Sequence, residues 1–335
     1  MTTEQIHSLL LNGLPQGCSK PELMETHISW VIVCDSFVYK IKKPIQYSFL
    51  DFSTIEKRKH YCEREVELNR RSTDDVYLNV VPVKKWSNSF FIGKNEGEIT
   101  DYAVLMRKLD RSKQMDILLK NNQVTPVDIE KLAEKIARFH QSATIIYKKD
   151  YLDVQEMFND LQQESNYLKE HLGNNSSAII CHAINVSDRF IEKHKERLAD
   201  RLANGMFRDC HGDLHSRNIF LLSTPQPFDC IEFNDDIRQI DVLNDVAFLC
   251  MDLDAFGRGD LAHLFFDSYN RLFPAATTKE DFQLFVYYKS YRANIRAKVN
   301  SLRARSSEDK NLRILALGEA NKYLYQLNNY IATLE

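Results

Sequence analysis

The chain has 335 residues, 44% of them hydrophobic and 27% charged, with a net charge of −3. That length allows two lobes with a sizeable core, and that charge gives no overall attraction to nucleic acid. No apolar run approaches the roughly 18 residues that span a bilayer, and the start, MTTEQIHSLLLNGLPQG, has no basic region and carries Glu4, unlike a signal peptide.

In chain order, residues 28–45 (ISWVIVCDSFVYKIKKPI) are β-branched and aromatic around a polar break at Asp35-Ser36, which predicts two strands of a hairpin. STIEKRKHYCEREVELNRR follows with helical spacing and Ser53 or Thr54 as N-cap. FFIG and YAVLMRKL read as further strands, with Gly97 suited to the turn between them. From Pro126 to Asn204 the pattern is mainly helical. NIFLL and FDCIEF read as two short strands around STPQP, and the chain is helical again from Asp241. Strands with one helix are thus followed by a helical part that holds one hairpin, an α+β order. The boundary is expected near Asp110, giving parts 1–110 and 111–335. The seven cysteines are scattered without a C-x-x-C pair, which predicts reduced thiols in a cytoplasm.

CHGDLHSRNIFLL, from Cys210 to Leu222, packs His211, Asp213, His215, Arg217 and Asn218 directly before a strand. Asp213 is placed to take a proton from a substrate hydroxyl. Asn218 offers an amide oxygen to Mg²⁺, and Glu232, fourteen positions on, a carboxylate to the same ion. Phosphoryl transfer needs this set, because the protein aligns the nucleophile and neutralises phosphate charge while doing little covalent work.

HGDLHSRN followed by IEF resembles the aminoglycoside phosphotransferase and choline kinase group of small-molecule kinases. THISW, VYKIKKP, LDFSTIEKR and MDLD make the chain similar to uncharacterised bacterial proteins of that group, many of which carry an added P-loop ATPase domain. No G-x-x-x-x-G-K-[ST] occurs in this sequence. The resemblance implies a two-lobed protein-kinase-like fold, with a β-rich nucleotide-binding lobe and a larger helical lobe holding the catalytic loop and acceptor site. It implies transfer of the γ-phosphate of ATP or GTP, with Mg²⁺, to a hydroxyl of a small molecule. Asp213 is then the catalytic base, His215 lies near the transferring phosphate, and Asn218 and Glu232 hold the metal.

In that frame Lys40 takes the slot of the phosphate-clamping lysine, since Val38 two residues earlier suits adenine packing. Lys42 shares its face by alternation, and one of the two is expected to pair with the helical partner. Glu65 is that partner, with Glu63 and Glu67 as alternatives. Met106, Arg107 and Lys108 sit where backbone groups would meet the base. No Gly-rich loop is present, so Ser29 and nearby N–H groups in THISW are expected to cover the phosphates. Glu232 stands where most relatives have Asp, and Asp229 is expected on the opposite face of its strand. His211, His140 and Asp245 read as bracing residues, and Asp252 and Asp254 as a solvated acidic face.

The stretch 282–307 carries Lys289, Arg292, Arg296, Lys298, Arg303 and Arg305 and no acid. Either these residues pair with the acidic stretch 232–260 or face solvent, or Arg292 and Arg296 line the acceptor pocket and favour an anionic or already phosphorylated hydroxyl compound. Two rival functions are a non-catalytic kinase-like nucleotide-binding module, which would need a broken site, and a metal-dependent hydrolase with His211, Asp213 and His215 as ligands. The hydrolase lacks a second His/Asp cluster.

Overall fold

The computed structural model describes residues 1–47 and 50–335. Helix α1 (Thr3–Asn12) opens with a capping box between Thr2 and Gln5. Strands β1 (Glu22–Glu25), β2 (Ser29–Val33) and β3 (Phe37–Lys42) follow, then the short β4 (Gln46–Tyr47) and β5 (Leu50–Asp51). Helix α2 (Ile55–Asn69) is capped by Thr54, whose side chain accepts from the Lys57 N–H. It turns Arg58, Cys62, Glu65, Val66 and Asn69 inward, a spacing of three and four residues that defines one helical face. Strands β6 (Tyr77–Trp86), β7 (Ser89–Ile92) and β8 (Glu98–Arg107) complete an antiparallel sheet of order β1-β2-β3-β8-β6-β7. One face of this sheet buries Trp30, Ile32, Tyr39 and Ile41 with Ile6 and Leu9 of α1. Helix α3 (Met115–Lys120) follows.

Helices α4 (Pro126–Ser142), α5 (Asp153–Asn159), α6 (Ser165–Leu172) and α7 (Asn174–Ala203) lead to strand β9 (Phe207–Asp209). After the HGDLHSRN loop come β10 (Ile219–Phe220), β11 (Gln226–Pro227), helix α8 (Asp235–Arg238) and β12 (Gln239–Asp241), which pairs with β9. The rest is helical: α9 (Val242–Ala255), α10 (Gly259–Leu272), α11 (Lys279–Ser306) and α12 (Lys310–Ala332). Helix α9 is buried from Val242 to Leu253, so it forms the centre of this helical part.

Two compact units result. One comprises Met1–Asn121 with Arg217–Arg238, the other Asn122–Ser216 with Gln239–Glu335. The first runs past Asp110 and takes in the hairpin that the sequence reading assigned to the helical part. The cause is local bonding. The Pro227 carbonyl accepts from Ser72, Gln226 bonds Asp74, and the Cys230 N–H donates to Asn69 Oδ1 at 2.9 Å.

Three sequence-based expectations are corrected. FDCIEF is not a strand: β11 ends at Pro227, and Asp229 adopts a left-handed φ of 63°, which breaks alternation. The cysteines are not all free, because Cys18 and Cys34 form a disulfide with Cα atoms 4.6 Å apart. The strand β2 end and the segment after α1 bring them together, which spacing alone does not reveal. Asp252 is not solvated but 3% exposed. Among the described residues no helix is long and apolar enough to cross a membrane.

Candidate active site

The first unit holds a cluster of five charges. Strand β3 points Lys40 and Lys42 to one face, and α2 presents Glu65 between them. Lys40 Nζ lies 2.8 Å from Glu65 Oε1, and Lys42 Nζ lies 2.7 Å from Glu65 Oε2. The expectation that one lysine alone would take Glu65 is therefore wrong: a carboxylate has two oxygens, and residues two apart on a strand can each reach one. Each lysine also has a second acid. Lys40 meets Asp229 Oδ1 at 2.6 Å, and Lys42 bonds the Glu232 carboxylate. Asp229, ranked below Glu232 on strand alternation, reaches the cluster because the left-handed turn redirects it.

The electrostatics follow from this count of three carboxylates on two ammonium groups. Burial pushes the Glu65 carboxyl up, but the two lysines outweigh it and hold the group at about 2. Glu232 goes the other way: burial, with the Glu65 charge, raises it despite the bond to Lys42. The acids likewise outweigh burial at Lys40, whose ammonium is held well above the ordinary lysine range.

Other expected contacts of this unit are placed differently. The Ser29 N–H donates to Thr26 Oγ1 at 2.9 Å, so that donor is engaged, while the buried Ser29 Oγ has no partner among the described residues. Met106 lies inside the sheet between β3 and β6. The Arg107 and Lys108 N–H groups donate to the Val76 and Ser36 carbonyls, and Lys108 Nζ donates to the Cys34 carbonyl at 3.0 Å. Lys108 is thus a sheet-end tie. Asn218 is buried ahead of β10, and its carbonyl accepts from the Phe228 N–H at 2.9 Å.

The second unit holds the loop from His211 to Ser216. Asp245 on α9 accepts from the His211 N–H (3.1 Å) and the Gly212 N–H (2.9 Å), and its Oδ2 bonds His140 Nε2 at 3.0 Å. His140 Nδ1 in turn meets the Tyr269 hydroxyl at 2.8 Å. Burial raises the Asp245 carboxyl, but His140, by bond and charge, outweighs it and holds the group at about 2. His211 Nδ1 accepts from the Asp213 N–H at 3.3 Å. These three are braces, as their positions imply. Gly212 has φ 82°, a turn that a side chain would strain.

Asp213 leaves this frame with a part-exposed carboxylate, Oδ2 3.4 Å from His215 Nε2. Burial raises its carboxyl, but His215, Arg296 and His211 together hold it well below the usual range, so the group is held in its ionised form. Asp252 fixes the following turn: Oδ2 accepts from the Ser216 N–H (2.9 Å) and hydroxyl (2.5 Å), and Oδ1 from the Tyr323 hydroxyl (3.2 Å). Sequence reasoning missed this role. The signal was the apolar run around MDLD, which marks α9 as buried.

The basic residues of α11 separate by partner. Lys289 pairs with Asp254 at 2.5 Å, Lys298 with Asp160 at 2.9 Å and Arg305 with Glu164 at 2.5 Å. Arg292 is not a pocket-lining residue: its guanidinium is buried on the Gly212 carbonyl (3.0 Å) and Asn244 Oδ1 (2.7 Å). Arg296 lies over the Tyr323 ring, its Nε without a partner among the described residues. The hydrolase ligand set does not assemble either. Among the described residues the one group of three candidate ligands is His140, Cys210 and Asp245, and His140 spends both ring nitrogens on hydrogen bonds.

The model of the phosphotransferase enzyme family matches residues 62–279, and the chain belongs to that family. The fold is the kinase-like α+β fold. A choline kinase from Cryptosporidium parvum superposes with a TM-score of 0.59 at 10% identity, covering 99% of this chain and 97% of that one. A choline/ethanolamine kinase family protein from Mesorhizobium loti does so with 0.55 at 12% identity, covering 100% and 99%. Uncharacterised proteins of Mycobacterium tuberculosis and Mycobacterium bovis are 30% identical over 290 residues, 84% of this chain and 55% of theirs. The chain thus spans about half the length of the curated relatives it matches.

Proposed function

We propose that the chain is a small-molecule kinase that moves the γ-phosphate of ATP or GTP to an alcohol. The acceptor oxygen forms a bond to the γ-phosphorus, the bond from that phosphorus to the β,γ-bridging oxygen breaks, and the nucleoside diphosphate leaves. The hydroxyl proton passes to Asp213, with His215 beside it. The observation that carries this reading is the Asp213 carboxylate, part-exposed beside His215 at the end of a loop braced on buried groups.

The oxygen donors fit a hard cation. Asn218 and Glu232 would hold Mg²⁺, whose chemistry is to neutralise phosphate charge. Lys40 would hold the phosphates, and Glu65 would hold Lys40. Arg296, charged beside Asp213 and Asp252, favours an acceptor with an anionic group over a polycation.

The test is a transfer assay with labelled ATP or GTP, Mg²⁺ and a panel of phosphorylated and carboxylated alcohols, choline, ethanolamine and kanamycin-type aminoglycosides. Transfer to an anionic alcohol and none to aminoglycosides is expected. Robust aminoglycoside turnover would contradict the acceptor assignment. No nucleotide-dependent rise in melting temperature would contradict the kinase reading itself.

A further inference from the structure

The pair Lys40–Asp229 is set apart from the rest of the charge cluster. Strand β3 runs from Phe37, opposite Arg107, to Lys42, opposite Ser29. Lys42 therefore stands at the β1–β2 turn, and Lys40 lies two residues, about 7 Å, nearer the end of β8. Both hold Glu65, yet their second acids differ. The Glu232 side chain is 4% exposed and that of Asp229 42%. Asp229 is also fixed from behind. Its N–H donates to the Tyr77 hydroxyl at 3.1 Å, and the next N–H donates to Asn69. On the Lys42 face stands the Ser29 hydroxyl, fully buried and without a partner among the described residues. A cluster with one carboxylate in excess, one acid open to solvent and one buried oxygen without a partner is suited to a further cation.

We infer that Asp229 is a divalent-cation ligand beside Glu232, and that its bond to Lys40 gives way when cation and nucleotide bind, so that Lys40 turns to a phosphate oxygen. The inference rests on the phosphotransfer reading. Three acids against two lysines leave one negative charge, which repels a polyphosphate. A dication reverses that sign and takes Asp229 from Lys40 in the same event. Metal and nucleotide therefore bind with positive coupling, and coupling of this kind is reciprocal.

The test is calorimetry on the full chain with a non-hydrolysable ATP or GTP analogue, titrated with Mn²⁺ and, separately, in EDTA, for the wild type and Asp229→Asn. Asparagine tolerates the left-handed backbone, so the variant is expected to fold. Mn²⁺ affinity in the presence of nucleotide should fall about tenfold or more, while metal-free nucleotide binding should tighten because Lys40 is released. Unchanged Mn²⁺ affinity, or metal-free binding that does not tighten, would overturn the inference while leaving the kinase reading intact. A wild-type protein that binds neither analogue, with or without Mn²⁺, would overturn both.

Discussion

The charge cluster of the first unit and the braced loop of the second are built on opposite principles. Around Asp245 the hydrogen bonds are complete and local: two backbone N–H groups and one imidazole on one carboxylate, all buried. Around Glu65 the charges are uneven, three acids on two lysines, and Glu232 is raised by burial and the Glu65 charge despite its bond to Lys42. A satisfied network fixes geometry, because any change leaves a buried polar group unpaired. An uneven one can exchange partners with a ligand. On the proposed kinase reading, the braced loop of the second unit positions Asp213 and the charge cluster of the first meets the nucleotide phosphates.

Breaking the uneven cluster at its buried end has the largest effect. Lys42→Ala leaves Glu65 and Glu232 with one ammonium fewer, and loss of a buried partner costs about 3–5 kcal/mol. Lys40→Ala costs less than half of that, since Lys40 and Asp229 both reach solvent. Chemical denaturation of the two variants checks the order.

Breaking the satisfied network comes next. Asp245→Asn places an amide among donors and should cost about 2 kcal/mol at neutral pH. The pH dependence has a definite sign. Asp245 titrates at about 2 folded against 3.8 unfolded, so its stabilisation is complete above about pH 4 and lost as pH falls toward 2. In the variant, stability should fall less across that window, as acid titration followed by circular dichroism would report.

The two arginines of α11 sharpen the contrast with smaller effects. Arg292→Ala removes the tie to Gly212 and Asn244, and should lower kcat with little change in nucleotide KM. Arg296→Ala should instead raise the acceptor KM more than the nucleotide KM and change the melting temperature least. Steady-state kinetics against both substrates separates the two.

Much of the second unit's site was legible because its parts are close in sequence. His211 to Ser216 is one segment, and Asp245 falls in a visibly apolar helix. Glu65 was legible from helical spacing on α2. The double use of Glu65 was not, because sequence gives the face of a lysine but not the reach of its Nζ. Asp229 was misplaced because alternation was extended past Pro227 into a left-handed turn. Arg292 and Arg296, four apart on one helix, looked equivalent. Only the fold sends one to the Gly212 carbonyl and the other over Tyr323. The Cys18–Cys34 bond likewise depends on a meeting of segments that no local pattern encodes.

The central claim is that an ionised Asp213 accepts the acceptor's proton. It is tested most directly by comparing phosphoryl transfer and nucleotide–Mn²⁺ binding in the wild type and Asp213→Asn. A loss of transfer of about 10²–10⁴-fold, with nucleotide affinity nearly unchanged, is predicted. Transfer at the wild-type rate by the variant would contradict it.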